Sequence, residues 1–197
     1  MAGAARIPNI KPKQTFRENG ARVIEARLAE FLSWRSAIGD PSQVVDLHNM
    51  RIAAKRLRYA LELFVLCFPD LKETLNVLTD IQESLGTIHD LDVLADMLRQ
   101  RLQALDVRVH EDAVEVMAAA ETRAERSNRL RAVLNASARD RQRLGLIGLL
   151  GEKVSERQTC YEEFRLRWEG PGLDLLAETI RSATSSTARD NDSQPAI

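Results

Sequence analysis

Residues 47–62, LHNMRIAAKRLRYALE, carry cations at helical spacing. His48, Arg51, Lys55, Arg58, Tyr59 and Glu62 recur three or four residues apart, which places them on one face of a helix. At a rise of roughly 1.5 Å per residue, His48 to Arg58 spans about 15 Å along that face. Arg56 sits to one side of the ridge. An arginine fork grips phosphate oxygens in pairs, and a lysine adds a mobile point charge. An imidazole donates a hydrogen bond, more strongly when protonated. A row of like charges is mildly self-repulsive. Its counter-charge is either a linear anion along the ridge or carboxylates elsewhere in the fold, which would make the ridge a solvated basic face.

The other face of the same segment is apolar. Leu47, Met50, Ala54, Leu57, Leu61, Phe64 and Phe68 form a stripe that must pack on other helices. Those helices are legible on either side. Thr15 and Glu18 form a capping box that opens a helix running to about Ile38, with Ile24, Leu28, Phe31 and Ile38 inward and Arg22 and Arg27 beside them. Gly39-Asp40-Pro41 breaks the chain, with Asp40 as cap of the motif helix, which ends before Pro69. A third helix is expected from about Asp70 to Leu85, through Leu71, Leu75, Leu78 and Ile81, with Gly86 as its stop. Thr87 should then cap a fourth from Ile88 to about Leu105, with Asp90 and Asp92 favoured in its first turn by the helix dipole. Further helices are expected over 110–135, 138–168 and up to about Ser182, followed by a polar tail.

Ala, Leu, Arg and Glu dominate, and no proline lies between Pro69 and Pro171. The fold class is all-α. The formal net charge of -1 excludes a globally basic nucleic-acid binder, but charge is segregated. Residues 47–62 hold four Lys/Arg against one carboxylate, residues 70–98 one against seven, and residues 121–167 eleven against seven. Cys67 and Cys160 have neither metal-ligand spacing nor a CxxC partner, which fits free thiols in a reducing compartment. No apolar run approaches the ~20 residues of a membrane span, and the first residues lack the apolar core of a secretory signal. A cytoplasmic location is expected. There is no P-loop and no HExxH, and His48, His89 and His110 have no metal-binding spacing among them. Neither a catalytic residue nor a metal or cofactor is expected.

The run His48-x-x-Arg51-Ile52-x-x-Lys55-Arg56-Leu57-Arg58-Tyr59 closely resembles the signature of the CHAD family, the conserved histidine α-helical domain. Leu85-Gly86-x-x-x-Asp90-x-x-Val93 resembles that family's second landmark. The resemblance is firm over about 15–105 and loose over 106–182. A full-length member has two similar helical halves related by a pseudo-two-fold axis, each with a basic motif helix, whereas this sequence has one such helix. The expected architecture is a helical bundle of about six or seven helices, like one half or a degenerate form of that fold. Its expected limits are an extended arm over 1–14, a CHAD-like helical domain over 15–182 and a disordered tail over 183–197.

The family binds inorganic polyphosphate, and some members accompany polyphosphate-processing enzymes. The resemblance therefore implies polyphosphate contacts at His48, Arg51, Lys55, Arg56 and Arg58, with Asp90 and Glu62 in support. Tyr59, Arg22, Arg27, Arg139, Arg141, Arg143 and Lys153 are further candidates. A second basic set would come from the C-terminal region or from a homodimer, with polyphosphate granules as an associated location. Two other readings stay open. One is a structural or oligomerisation domain whose basic face is neutralised by the acidic 70–98 stretch. The other is a phosphohistidine or metal-dependent enzyme using His48. Nucleic acid is disfavoured because Tyr59 is the only aromatic on the basic face.

Overall fold

The computed structural model describes residues 6–7, 10–138 and 140–185. Among them there are six α-helices and no strand. In chain order these are α1 (Phe16–Leu32), α2 (Val44–Phe64), α3 (Lys72–Ala118), α4 (Arg123–Ala138), α5 (Arg141–Trp168) and α6 (Pro171–Ser185), with short 3-10 turns at Arg35–Gly39 and Pro69–Leu71. The described residues fall into two compact units, one drawn from 1–89 and 159–197, the other from 90–158. No helix among them is long and apolar enough to cross a membrane.

The first unit is built around α1 and α2. Thr15 caps α1 as expected: its hydroxyl accepts from the Glu18 amide at 3.1 Å, and the Glu18 carboxylate accepts from the Thr15 amide at 2.8 Å. Ile24, Leu28 and Phe31 of α1 are fully buried against Met50, Leu57 and Leu61 of α2. Gly20 lets the two helices approach: a Cβ there would lie 2.6 Å from Cδ1 of Phe64. Phe16 packs on the same ring, centroid to centroid at 4.7 Å. Leu78, Ile81, Leu85 and Ile88 of α3, Tyr161 and Phe164 of α5, and Leu173, Leu176 and Ile180 of α6 complete the core. The buried Tyr161 hydroxyl is satisfied by donating to the Ile38 carbonyl at 2.6 Å. Cys67 and Cys160 are free thiols at the edge of this core.

Several expectations from the sequence are corrected here. The first helix ends at Leu32, and Ile38 reaches the core from a 3-10 turn instead. Asp40 does not cap α2. Its carboxylate accepts from the amide and hydroxyl of Ser42 at 2.8 and 2.7 Å, closing a turn before the helix begins. Gly86 does not stop a helix, and Thr87 does not start one. Both lie inside the 47-residue α3, where the Thr87 hydroxyl donates back to the Glu83 carbonyl at 3.1 Å. Asp90 and Asp92 are therefore mid-helix and gain nothing from a dipole end. The helix expected over 110–135 is divided, because α3 runs on to Ala118 and α4 opens at Arg123.

The second unit, 90–158, contains the end of α3, all of α4 and most of α5. Asp92 accepts from Nε and Nη2 of Arg157 at 3.0 and 3.3 Å, and Asp106 pairs with Arg143 at 2.8 Å. Its α5 segment continues unbroken through Gly145, Gly148 and Gly151. At the far end of α5 the left-handed Gly170 (φ 79°) closes the helix, and Pro171 opens α6. The tail beyond 185 lies outside the described residues; Ala183 to Ser185 form the last turn of α6.

The close approach at Gly20 is testable. Gly20→Ala should destabilise the chain by about 1–3 kcal/mol in denaturant unfolding, as overpacked positions do, although alanine is the better helix former. Adding Phe64→Leu, which shortens the opposing ring, should recover part of that loss in a double-mutant cycle.

Candidate functional site

The α2 ridge belongs to the first unit. Its inward face is dry: Leu57, Leu61 and Phe64 are at most 5% exposed. That burial turns the opposite face outward. Lys55 is exposed, His48, Arg51 and Arg58 are half-buried, and Tyr59 is 49% exposed. The cationic groups of Lys55 and Arg58 lie over the Tyr59 ring, at 5.6 and 5.0 Å from its centroid.

The basic residues of this helix differ in their counter-charges. Arg58 pairs with Glu62 one turn on, at 2.7 Å. Arg56 leaves the ridge and pairs with Glu30 of α1, which also takes Arg27 at 2.6 Å. The Glu30 side chain is only 7% exposed, so two guanidinium groups neutralise a carboxylate at the α1–α2 seam. Arg51 and Lys55 have no ion-pair partner among the described residues. In the acidic stretch Asp80 is engaged by Arg167 at 3.2 Å and Asp92 by Arg157. Both arginines come from α5.

Arg51 crosses α3 at Gly86, where a Cβ would stand 3.6 Å from its Nε. A side chain there would make only ordinary van der Waals contact, so Gly86 marks where the Arg51 side chain passes α3 without being required for it. Beside it His48 stacks on His89 of α3, with centroids 4.6 Å apart and rings inclined by 30°. Sequence spacing could not reveal this pair, because the histidines are on different helices. His48 Nδ1 is buried without a hydrogen-bond partner. Burial of the ring lowers the His48 pKa from its ordinary value, and His89 and Arg51 add to the effect. Among the described residues no group of three or more His, Cys, Asp or Glu gathers to hold a metal ion.

The family model of the CHAD domain matches residues 5–99, which spans α1, α2 and the first half of α3. Comparison with curated proteins and with solved structures finds no match. The CHAD segment contains the ridge, Arg22, Arg27 and Asp90, the last being the first residue of the second unit. Arg22 is half-buried on α1 and reaches the Asn19 side chain at 3.5 Å. Arg141, Arg143 and Lys153 fall outside the CHAD segment, in the second unit. There Arg143 is paired with Asp106, and Lys153 with Glu156 at 2.7 Å. Arg139 lies outside the described residues.

A depressed histidine pKa has a definite sign. Below about pH 6.5 the unfolded chain takes up the His48 proton before the folded one. The stability tied to neutral His48 is complete above that pH, and it is lost as the pH falls toward the lower folded-state value. In an NMR titration the His48 ring should titrate below 6.5. His48→Gln should flatten the loss of stability on that acid limb.

Proposed function

We propose that the CHAD segment binds a linear polyanion along α2, that inorganic polyphosphate is this ligand, and that the chain is a binding module and not a catalyst. The observation that carries the reading is the pair Arg51 and Lys55. Both stand on an accessible helix face with no carboxylate among the described residues to neutralise them. Arg51 supplies a bidentate fork and Lys55 a mobile charge one turn away. His48 and Arg58 extend the row at its two ends. Arg56 and Arg27 act beneath it, holding α1 to α2 through Glu30. Polyphosphate binding in the CHAD family supports the choice of ligand. The chemistry of Tyr59 argues against single-stranded nucleic acid, because its ring already has two cations against it where a base would stack.

The reading is tested by titrating the protein with long-chain polyphosphate, ATP and duplex DNA in parallel. Polyphosphate should bind most tightly, and its affinity should fall with added salt. Arg51→Ala and Lys55→Ala should each cost about 1.5–3 kcal/mol of binding, the value of a charge-assisted contact, with an unchanged melting temperature. Arg56→Ala should lower the melting temperature, because it leaves the Glu30 carboxylate with one fewer partner, at about 1–3 kcal/mol. Bound phosphates favour charged His48, so binding should take up protons and tighten below neutral pH. Early melting of the Arg51 and Lys55 variants with unchanged affinity would assign the ridge a structural role.

A further inference from the structure

The second unit exposes more large apolar side chains than it buries. Among its described residues only Leu91, Ala95, Leu98 and Ala120 are buried. Val93, Met97, Val107 and Val114 of α3 are 45, 61, 50 and 68% exposed. None of its residues belongs to the hydrophobic core cluster of the first unit.

The exposed residues of α3 are regularly placed. From Val93 to Met97, and on through Gln100, Ala104, Val107, Glu111 and Val114 to Ala118, the steps alternate between four and three. All eight positions are exposed. That spacing is the seam of a two-helix coiled coil, here about 37 Å long at 1.5 Å per residue. Six of the eight positions are apolar, a run that a solvated helix face has no need of.

The order of side chains along the seam selects the occupant. Laid antiparallel on a second copy, Val93 meets Ala118 of the partner subunit, Met97 meets Val114 of the partner subunit, and Ala104 meets Val107 of the partner subunit. Gln100 then meets Glu111 of the partner subunit, an amide that donates to a carboxylate. In this one register every apolar position faces an apolar one, and the two polar positions face each other. A parallel pair would set Glu111 against itself, a like-charge contact in the seam. A two-fold axis requires such reciprocity, in which residue i meets j and j meets i. We infer that α3 over Val93–Ala118 is the seam of an antiparallel homodimer, with Gln100 opposite Glu111 of the partner subunit. The homodimer expected from a single motif helix thereby gains a surface.

The same register brings Arg101 toward Arg108 of the partner subunit at the solvent-exposed edge of the seam. Salt screens that repulsion, so the dimer tightens with moderate salt while polyphosphate binding weakens. With small residues at most layers, the association is reversible and concentration-dependent.

The test is light scattering and sedimentation of the full chain without any polyanion. None of the residues involved belongs to the α2 ridge, so this result and the polyphosphate result stand or fall separately. The mass should rise with concentration toward twice 22.1 kDa. Met97→Glu and Val114→Glu, both at exposed positions, should return the monomer with unchanged helical circular dichroism. Gln100→Lys should tighten the dimer by about tenfold or more, because each new ammonium faces a carboxylate. A chain that stays monomeric at every concentration overturns the dimer. A dimer weakened by Gln100→Lys overturns the antiparallel register, because only a parallel pair sets the two lysines together.

Discussion

The packing of α2 on α1 is the contact on which the rest of the first unit depends. Gly20 gives up a side chain so that the Phe64 ring can sit against the α1 backbone, and Phe16 closes over that ring. A helix has only two broad faces. Once Met50, Leu57, Leu61 and Phe64 are committed to the core, the residues three and four positions around must face solvent. The basic ridge is displayed outward because its opposite face is buried, with no device of its own. The buried carboxylate of Glu30 adds direction to this packing. Two arginines converge on it, one from each helix, and an unpaired charge at that depth would be costly.

The basic residues of α2 thus divide by their counter-charges. Arg56 is consumed in holding the fold, Arg58 is half-neutralised by its own helix, and Arg51 and Lys55 stand without ion pairs among the described residues. The α3 helix refines this division at its crossing with α2. The Arg51 side chain passes beside Gly86, and His89 stacks on His48. Burial of the ring, with His89 and Arg51 beside it, disfavours positive charge on His48. The basic helix and residues Gly86 and His89 of α3, far apart along the chain, meet in space at this crossing.

The second unit follows a different rule. Few of its described residues are buried, the pairs Asp92–Arg157 and Asp106–Arg143 link its helices, and four of its exposed apolar residues, Val93, Met97, Val107 and Val114, share one face of α3. Isolated exposed leucines and valines on a protein surface need no explanation, whereas six apolar residues among eight exposed positions on one helix face do.

The sequence by itself determined the helical class, the capping box at Thr15, the buried stripe of α2 and the outward placement of its cations. Each of these follows from propensity or from a period of 3.6 within one segment, so local reading suffices. It also contained the CHAD signature, which names residue types without saying which of them are already paired. Only the tertiary structure decided that Gly86 is passed over by Arg51 and stops nothing, that Asp40 closes a turn, and that Arg56 turns away to Glu30. The same holds for the meeting of His48 with His89, 41 positions later in the chain. A glycine is a stop signal only where the backbone must leave the helical region, and at Gly86 the core residues on either side, Leu85 and Ile88, keep the helix in place. The pairing of charges depends on which segments are brought together in space, and separation along the chain carries no record of that.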